Sequence, residues 1–355
     1  MRTHLVLLCL VLSGLLLSLG CLGFGESPTA AAPAYNASKA PPVTTPVNNT
    51  PLPNATSPQP PVISAAFEMS FINLSMADAT LIHTKERTIL FDAGSAESAP
   101  KLVSYLHSKG IDKIDVLILS SNDPAYVGGA PEILRQFTVS EVWTNGGTYS
   151  DALWGSIQDL LGPSSSRSVV YGYNRTWGDL EVTVLNPQTS RLSGEGDATV
   201  IKVSYGSFCS LLFSNSLAAG ASSADAGTVV GGVDSRIITG PVPVNCPVLR
   251  VSHHGSANVA SFQLLNKMNP SDAIISVGPN PPQDLYPAPA LIRRLILNNV
   301  TVWTTDKLGT VTVTSDGTTY SMRSDKPRDT KYGKFLENVI YNGASYWQTT
   351  TTTRR

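Results

Sequence analysis

Leu117-Ile118-Leu119-Ser120-Ser121-Asn122-Asp123-Pro124-Ala125-Tyr126-Val127-Gly128-Gly129 is the stretch whose reading decides the fold. The apolar run Val116 to Leu119 reads as a buried strand. A short polar turn follows it, and Gly128-Gly129 then opens the way into a helix over Pro131 to Phe137. A strand that ends in a polar turn before a helix presents side chains at its C-terminal end, where sites in layered α/β proteins lie.

Working outward, strands and helices alternate. Phe67 to Ile72, Thr80 to His83 and Thr88 to Phe91 read as short strands, the third broken by Ala93-Gly94. Ala99 to Lys109 has Leu102, Val103 and Leu106 at helical spacing and ends at Gly110. Further strands are expected at Val139 to Trp143, Ser168 to Tyr173, Leu180 to Leu185, Thr199 to Tyr205 and Phe208 to Phe213. Pro289 to Leu297 reads as a helix with proline at its first position. Val300 to Thr304, Gly309 to Thr314 and Thr318 to Met322 close the pattern. Two face-to-face sheets with helices on both outer faces satisfy that alternation.

The motifs along this frame resemble the metallo-β-lactamase-fold domain found at the C-terminal end of the DNA-uptake protein ComEC, over Phe67 to about Thr319. Family members carry Thr-His-x-His-x-Asp-His-x-Gly-Gly after the same strand, and its His and Asp residues hold zinc or manganese. The resemblance implies an αββα sandwich and places the family's ligands on named positions here. Anchored on Gly128 and Gly129, they fall on Ser121, Asp123, Ala125 and Tyr126. A later bridging Asp falls on Ser216, and a final His on Tyr286. The family's His-His-Gly-Ser persists as His253-His254-Gly255-Ser256. Asp78 and Asp92 match two acidic positions of its opening strands, and the resemblance makes Asp92 a structural brace of the metal loop rather than a ligand.

A count of donors agrees with the substitutions. A dinuclear zinc site needs three or more protein ligands per ion, with an open position for water. Past the first segment the chain offers only His83, His107, His253 and His254. His83 belongs to a strand and His107 to a helix surface. The expectation is therefore a domain with no catalytic metal and no cofactor. Asp123 with His253 remains as a weak candidate for one zinc or manganese ion. The alternative reading of His253-His254-Gly255-Ser256 is a turn kept for its backbone and internal hydrogen bonds.

The rest of the chain speaks to location. Of 355 residues, only 14% are charged and the net charge is −1, so no basic patch argues for nucleic acid. Arg2 and His4 precede an apolar run from Leu5 to Leu19, ending Ser18-Leu19-Gly20-Cys21. Residues 1–21 read as a signal peptide or lipoprotein signal with Cys21 as the lipidated residue. An uncleaved anchor and free secretion remain open alternatives. Residues 22–62 are rich in Pro and Thr with three glycosylation sequons, and read as a disordered stalk. Residues 63–323 are the domain, and 324–355 a C-terminal extension with a disordered end, in which Phe335 to Trp347 shows no clear period. Cys209 and Cys246 are expected either to form one disulfide or to be two buried thiols. These readings combine into a surface-tethered, extracytoplasmic scaffold or binding domain whose partner is unknown and whose membrane contact is its N-terminal anchor. The alternative is a residual hydrolase acting on phosphodiesters or nucleic acid.

Overall fold

The structure, a computed structural model, describes residues 66–147, 149–161, 166–188, 198–216, 232–279 and 286–341. The expected signal, stalk, Cys21 and the chain's final residues lie outside these. Among the described residues no helix is long and apolar enough to cross a membrane.

Period-2 alternation builds two sheets. In strand β4 (Lys113–Leu119), Val116 and Ile118 point into one apolar core while Leu117 and Leu119 point into another. Strand β3 (Thr88–Phe91) does the same, with Ile89 and Phe91 on one side and Leu90 on the other. Both faces of such strands are buried, as expected where helices cover a sheet's outer face. The first sheet adds β1 (Phe67–Phe71), β2 (Thr80–Thr84), β5 (Thr138–Thr144), β6 (Ser166–Ser168), β14 (Val311–Ser315) and β15 (Tyr320–Ser324). Its order is β15-β14-β1-β2-β3-β4-β5-β6, antiparallel up to β3 and parallel beyond it.

The second sheet repeats that plan. It contains β7 (Asn174–Trp177), β8 (Leu180–Asn186), β9 (Val200–Tyr205), β10 (Phe208–Leu212), β11 (Val248–Arg250), β12 (Asp272–Ile275) and β13 (Thr301–Thr304). The order is β13-β12-β11-β10-β9-β8-β7, with β10 to β13 parallel and the others antiparallel. Phe67, Met69 and Phe71 meet Val182, Val203 and Ile274 in the core between the sheets.

Helices close the outer faces. On the first sheet lie α1 (Ala99–Ser108), α3 (Ala130–Gln136) and α4 (Ala152–Leu161), burying Leu102, Leu106, Ile133, Trp154 and Ile157. On the second lie α5 (Gly232–Thr239), α6 (Phe262–Met268) and α7 (Pro289–Leu297), burying Ile237, Leu264, Leu265, Leu291 and Leu295. The result is an αββα sandwich.

Several elements differ from the sequence reading, helices α4, α5 and α6 among them. The strand expected at Ser168 to Tyr173 is split, because that segment leaves the first sheet at β6 and enters the second at β7, turning at Gly172 with φ +81°. The polar turn after β4 contains a single helical turn, α2 (Pro124–Val127), started by Asp123 and Pro124. The Thr305 to Gly309 turn likewise holds one helical turn, α8 (Thr305–Leu308). In the C-terminal extension, α9 (Thr330–Tyr341) packs onto the body, with the Tyr332 hydroxyl donating to Val302 O at 3.0 Å. Cys209 and Cys246 are joined by a disulfide, their Cα atoms 5.0 Å apart.

Candidate functional site

The expected site residues converge at the ends of β3, β4, β10, β11 and β12. The β4 end is held first. Asp123 has extended backbone and caps α2, its Oδ1 accepting the Ala125 N–H at 2.8 Å. Gly129 then crosses close to the β3 end, where a Cβ would stand 2.1 Å from Ala93 O, and a Cβ on Gly128 would stand 2.4 Å from Pro124 O. Only glycine fits these two close approaches.

The other carboxylate oxygen of Asp123 is also engaged. The Asn215 amide, on the loop after β10, donates to Asp123 Oδ2 at 2.8 Å, and the Asn215 carbonyl oxygen lies 2.6 Å from His253 Nδ1. One asparagine thus links the two weak metal candidates, so that Nδ1 of His253 carries the proton it shares with Asn215. Loss of this node has a definite cost. The Asp123→Ala variant is expected to lose about 1 kcal/mol of stability through the missing cap, measured by urea unfolding.

His253 and His254 occupy one 3₁₀ turn (His253–Gly255) after β11, and both have left-handed backbone, φ 48° and 49°. Two adjacent non-glycine residues in that region carry strain of about 1–3 kcal/mol each. Surrounding contacts hold them there. The His253 N–H donates to Ser214 O, and His254 Nδ1 lies 3.0 Å from Ser276 O and 3.4 Å from Asp78 Oδ2. The Gly255 position permits no side chain, since a Cβ would meet Ile275 at 2.8 Å. Aromatic rings fill the neighbouring volume. Tyr126 stacks on His254 at 5.4 Å between ring centres, and Tyr286 sits 5.9 Å from His253 and 6.2 Å from His254. The Tyr126 phenol is 1% exposed, and burial together with the nearby Asp78 charge pushes its ionisation well above the ordinary range.

Ser216 and Ser121 serve the loops. Ser216 N–H donates to Ser252 Oγ at 2.8 Å, and the Ser252 hydroxyl is in short contact with the carbonyls of Ser214 and Ser216. Ser121 Oγ accepts the Asp123 N–H at 3.2 Å. Ala125 offers only its carbonyl, to the Asp78 N–H.

Beneath these loops lies a charged cluster that the sequence reading left without a role. Period-2 alternation along β11 turns Val248 inward, Leu249 outward and Arg250 inward, so that a fully buried guanidinium stands between the sheets. Its Nη2 is 2.8 Å from Asp78 Oδ1 and its Nη1 is 3.4 Å from Asp92 Oδ2. The first contact is a close ion pair without a well-aligned hydrogen bond, and Arg250 Nε has no hydrogen-bond partner. The guanidinium also lies 5.2 Å above the Phe91 ring. Asp92 bridges onward: its Oδ1 accepts the Ser120 N–H at 3.1 Å and its Oδ2 accepts Ser214 Oγ at 3.3 Å. Ser120 and Ser214 hydroxyls touch each other across the sheets.

One cation therefore faces two buried carboxylates. Burial would raise the Asp78 pKa, but Arg250 foremost, with His254 and Ser276, holds it below the ordinary value. Burial wins at Asp92, which the Asp78 charge raises further, and its pKa stands at about 7 despite Arg250. The chemistry follows from charge balance: Arg250 neutralises Asp78, and Asp92 keeps a proton into the neutral range.

The donor set can be tested against a metal centre on this geometry. Among the described residues no three His, Cys, Asp or Glu side chains gather to hold an ion. Asp123 is spent on a helix cap and Asn215, His253 Nδ1 on Asn215, and Asp78 on Arg250. Ser121, Ala125, Tyr126, Ser216 and Tyr286 supply no imidazole or carboxylate. These residues do not fit a dinuclear centre. His83 and His107 stand elsewhere: His83 Nδ1 pairs with Thr88 Oγ1, and His107 stacks on Phe137. Arg250 and Asn215 were the residues sequence reasoning passed over, although a lone charge inside Val248-Leu249-Arg250-Val251 was a visible signal.

Comparison with known proteins agrees with this architecture. The family described as Metallo-beta-lactamase superfamily matches residues 72–197. ComE operon protein 3 of Bacillus subtilis is 21% identical over 272 residues, covering 71% of this chain and 33% of that protein. Recombination protein 2 of Haemophilus influenzae is 25% identical over 228 residues, covering 60% of this chain and 24% of its own length. The chain thus spans a third or less of the curated relatives it matches. Among solved structures, the metallo-beta-lactamase fold protein YhfI from Bacillus subtilis shares 12% identity with a TM-score of 0.44, over 69% of this chain and 98% of that one. The chain carries a metallo-β-lactamase-fold domain with weak, ComEC-like homology.

Proposed function

We propose that this domain is a non-catalytic, metal-free descendant of its fold family that works by binding or as a scaffold, tethered outside the cytoplasm through its N-terminal segment. The observation that carries the reading is the way Asn215 engages both weak metal candidates, Asp123 and His253. The Asn215 amide holds one Asp123 oxygen and His253 Nδ1, and Arg250 supplies the positive charge that Asp78 needs. A hydrolase of this fold lowers the pKa of a metal-bound water to make its nucleophile. Of the side chains at the corresponding positions, Ser121, Ala125, Tyr126, Ser216 and Tyr286 bring neither an imidazole nor a carboxylate. Location outside the cytoplasm is supported by the Cys209–Cys246 disulfide, a bond that persists in oxidising compartments.

The second reading, a residual hydrolase on phosphodiesters or nucleic acid with one ion on Asp123 and His253, has one observation in its favour. A single residue, Asn215, separates those two side chains. Hydrolysis of bis(p-nitrophenyl) phosphate and single-stranded DNA by the full chain, with added zinc or manganese, separates the two. Rates equal to those of the His253→Ala variant are expected. Metal-dependent turnover that disappears in His253→Ala would establish the hydrolase instead.

A further inference from the structure

A concavity lies apart from the His253 loop and uses none of its residues. It has a volume of about 380 Å³ and opens between α8, the chain that leaves β15 and the first turns of α9. That volume falls in the range of small-molecule sites. Leu308, Pro327, Tyr332 and Phe335 give it an apolar and aromatic lining, and Lys307, Lys326, Lys331 and Asp329 stand around it.

The polar groups divide into those already used and those left over. Asp329 caps α9, its Oδ1 accepting the N–H groups of Lys331 and Tyr332 at 2.9 and 3.0 Å. The helix terminus is therefore closed by the chain itself. Tyr332 is anchored through its hydroxyl to Val302 O. The Lys307 ammonium lies 3.1 Å from Asp306 Oδ2 and 5.0 Å from the centre of the Phe335 ring, which fixes it over the aromatic wall. Arg328 lies over the rings of Trp303 and Tyr332, at 4.6 and 5.5 Å from their centres. Lys326 and Lys331 are different. Both are exposed, and among the described residues neither ammonium has an ion-pair partner.

Three lysines against Asp329 on the lining and the Asp306 paired with Lys307 leave a formal +1 there, in a chain whose net charge is −1. Positive charge concentrated around a low-dielectric, apolar wall attracts an anion more strongly than the same charge spread over a flat surface. The aromatic wall selects for an apolar, ring-bearing body, and the two uncommitted ammoniums select for a doubly charged head.

We infer that this cavity binds a small amphipathic dianion, an apolar ring carrying a phosphomonoester-type head, with Phe335 and Tyr332 against the ring and Lys326 and Lys331 on the head. The site stands independently of the reading of the His253 loop, because it uses none of its residues.

Calorimetric titration of the full chain with phenyl phosphate tests it, with inorganic phosphate and benzyl alcohol as the head and the body alone. Saturable one-to-one binding of phenyl phosphate is expected. It should weaken by about tenfold or more in the Lys326→Gln, Lys331→Gln double variant, whose melting temperature should stay that of the parent. Inorganic phosphate and benzyl alcohol should each bind at least about tenfold more weakly than phenyl phosphate. Absence of saturable binding overturns the assignment. So does unchanged affinity in the double variant, or inorganic phosphate binding as tightly as phenyl phosphate.

Discussion

Replacing Arg250 with methionine is expected to destabilise the domain by about 3–5 kcal/mol, the cost of stripping one partner from a buried ion pair. Arg250 is fully enclosed between the sheets, and among the described residues its guanidinium is the one basic group that contacts both Asp78 and Asp92, His254 reaching Asp78 alone. Without it Asp78 must either stay charged and unpaired in a buried site or take up a proton, which costs more the further the pH lies above its unfolded pKa. Methionine fills the inward-facing volume of β11, so cavity formation contributes little and the loss reports on charge. Adding Asp78→Asn to Arg250→Met removes the stranded carboxylate and should recover part of the stability. Urea unfolding of the parent, both single variants and the double variant gives the coupling directly. A cost below about 1 kcal/mol for Arg250→Met would mean that the pair is solvated rather than buried.

The second large effect is a pH dependence with an unusual sign. Most paired carboxylates have depressed pKa values and make a protein more stable as pH rises out of the acid range. Asp92 is the opposite case, with a folded-state pKa of about 7 against an unfolded value of about 3.9. Between those values the unfolded chain has lost the proton while the folded chain retains it. Stability should therefore fall as pH rises from about 4 to about 7 and level off beyond, by about 2–3 kcal/mol between pH 5 and pH 7. Asp78 does not mask this, because its depressed pKa confines its own effect to more acid solution. His83, whose pKa burial depresses, opposes the trend by losing stability at lower pH, so the difference from an Asp92→Asn variant is the quantity to measure. Asparagine tolerates the left-handed backbone at this position, φ 66°. The parent should lose stability relative to Asp92→Asn across that window. A constant difference from pH 5 to pH 8 would show that Asp92 is ionised throughout.

Much of the fold was legible because it is written in local alternation. Val116 and Ile118 against Leu117 and Leu119 define both faces of β4 without any knowledge of its neighbours. Gly128 and Gly129 could anchor the loop because backbone atoms leave no room for another residue there. The same local logic failed where the chain changes sheets. The residues between β6 and β7 look like one strand in sequence, but they belong to the crossing between layers. Helices α4, α5 and α6 were passed over; α4 carries Gly155 in its interior, and α5 mixes Val233, Ile237 and Ile238 with polar residues.

The site shows the same division. The sequence singled out Ser121, Asp123, Tyr126, Ser216 and Tyr286, and their contacts lie in the His253–Gly255 turn and the loops beside it. What those side chains do was not readable. Asn215 meets Asp123 across 92 residues and His253 across 38, and Arg250 meets Asp92 across 158. Pairings at that separation are set by tertiary packing, and no local spacing encodes them.

Metal content is the most direct test of the central claim, that Asn215 and Arg250 engage Asp123, His253 and Asp78 in place of an ion. The purified full chain would be equilibrated with zinc and with manganese, passed through a desalting column and measured by elemental analysis. The account predicts far less than one ion per chain, unchanged in His253→Ala and Asp123→Ala. One tightly held ion per chain, lost in either variant, would contradict it.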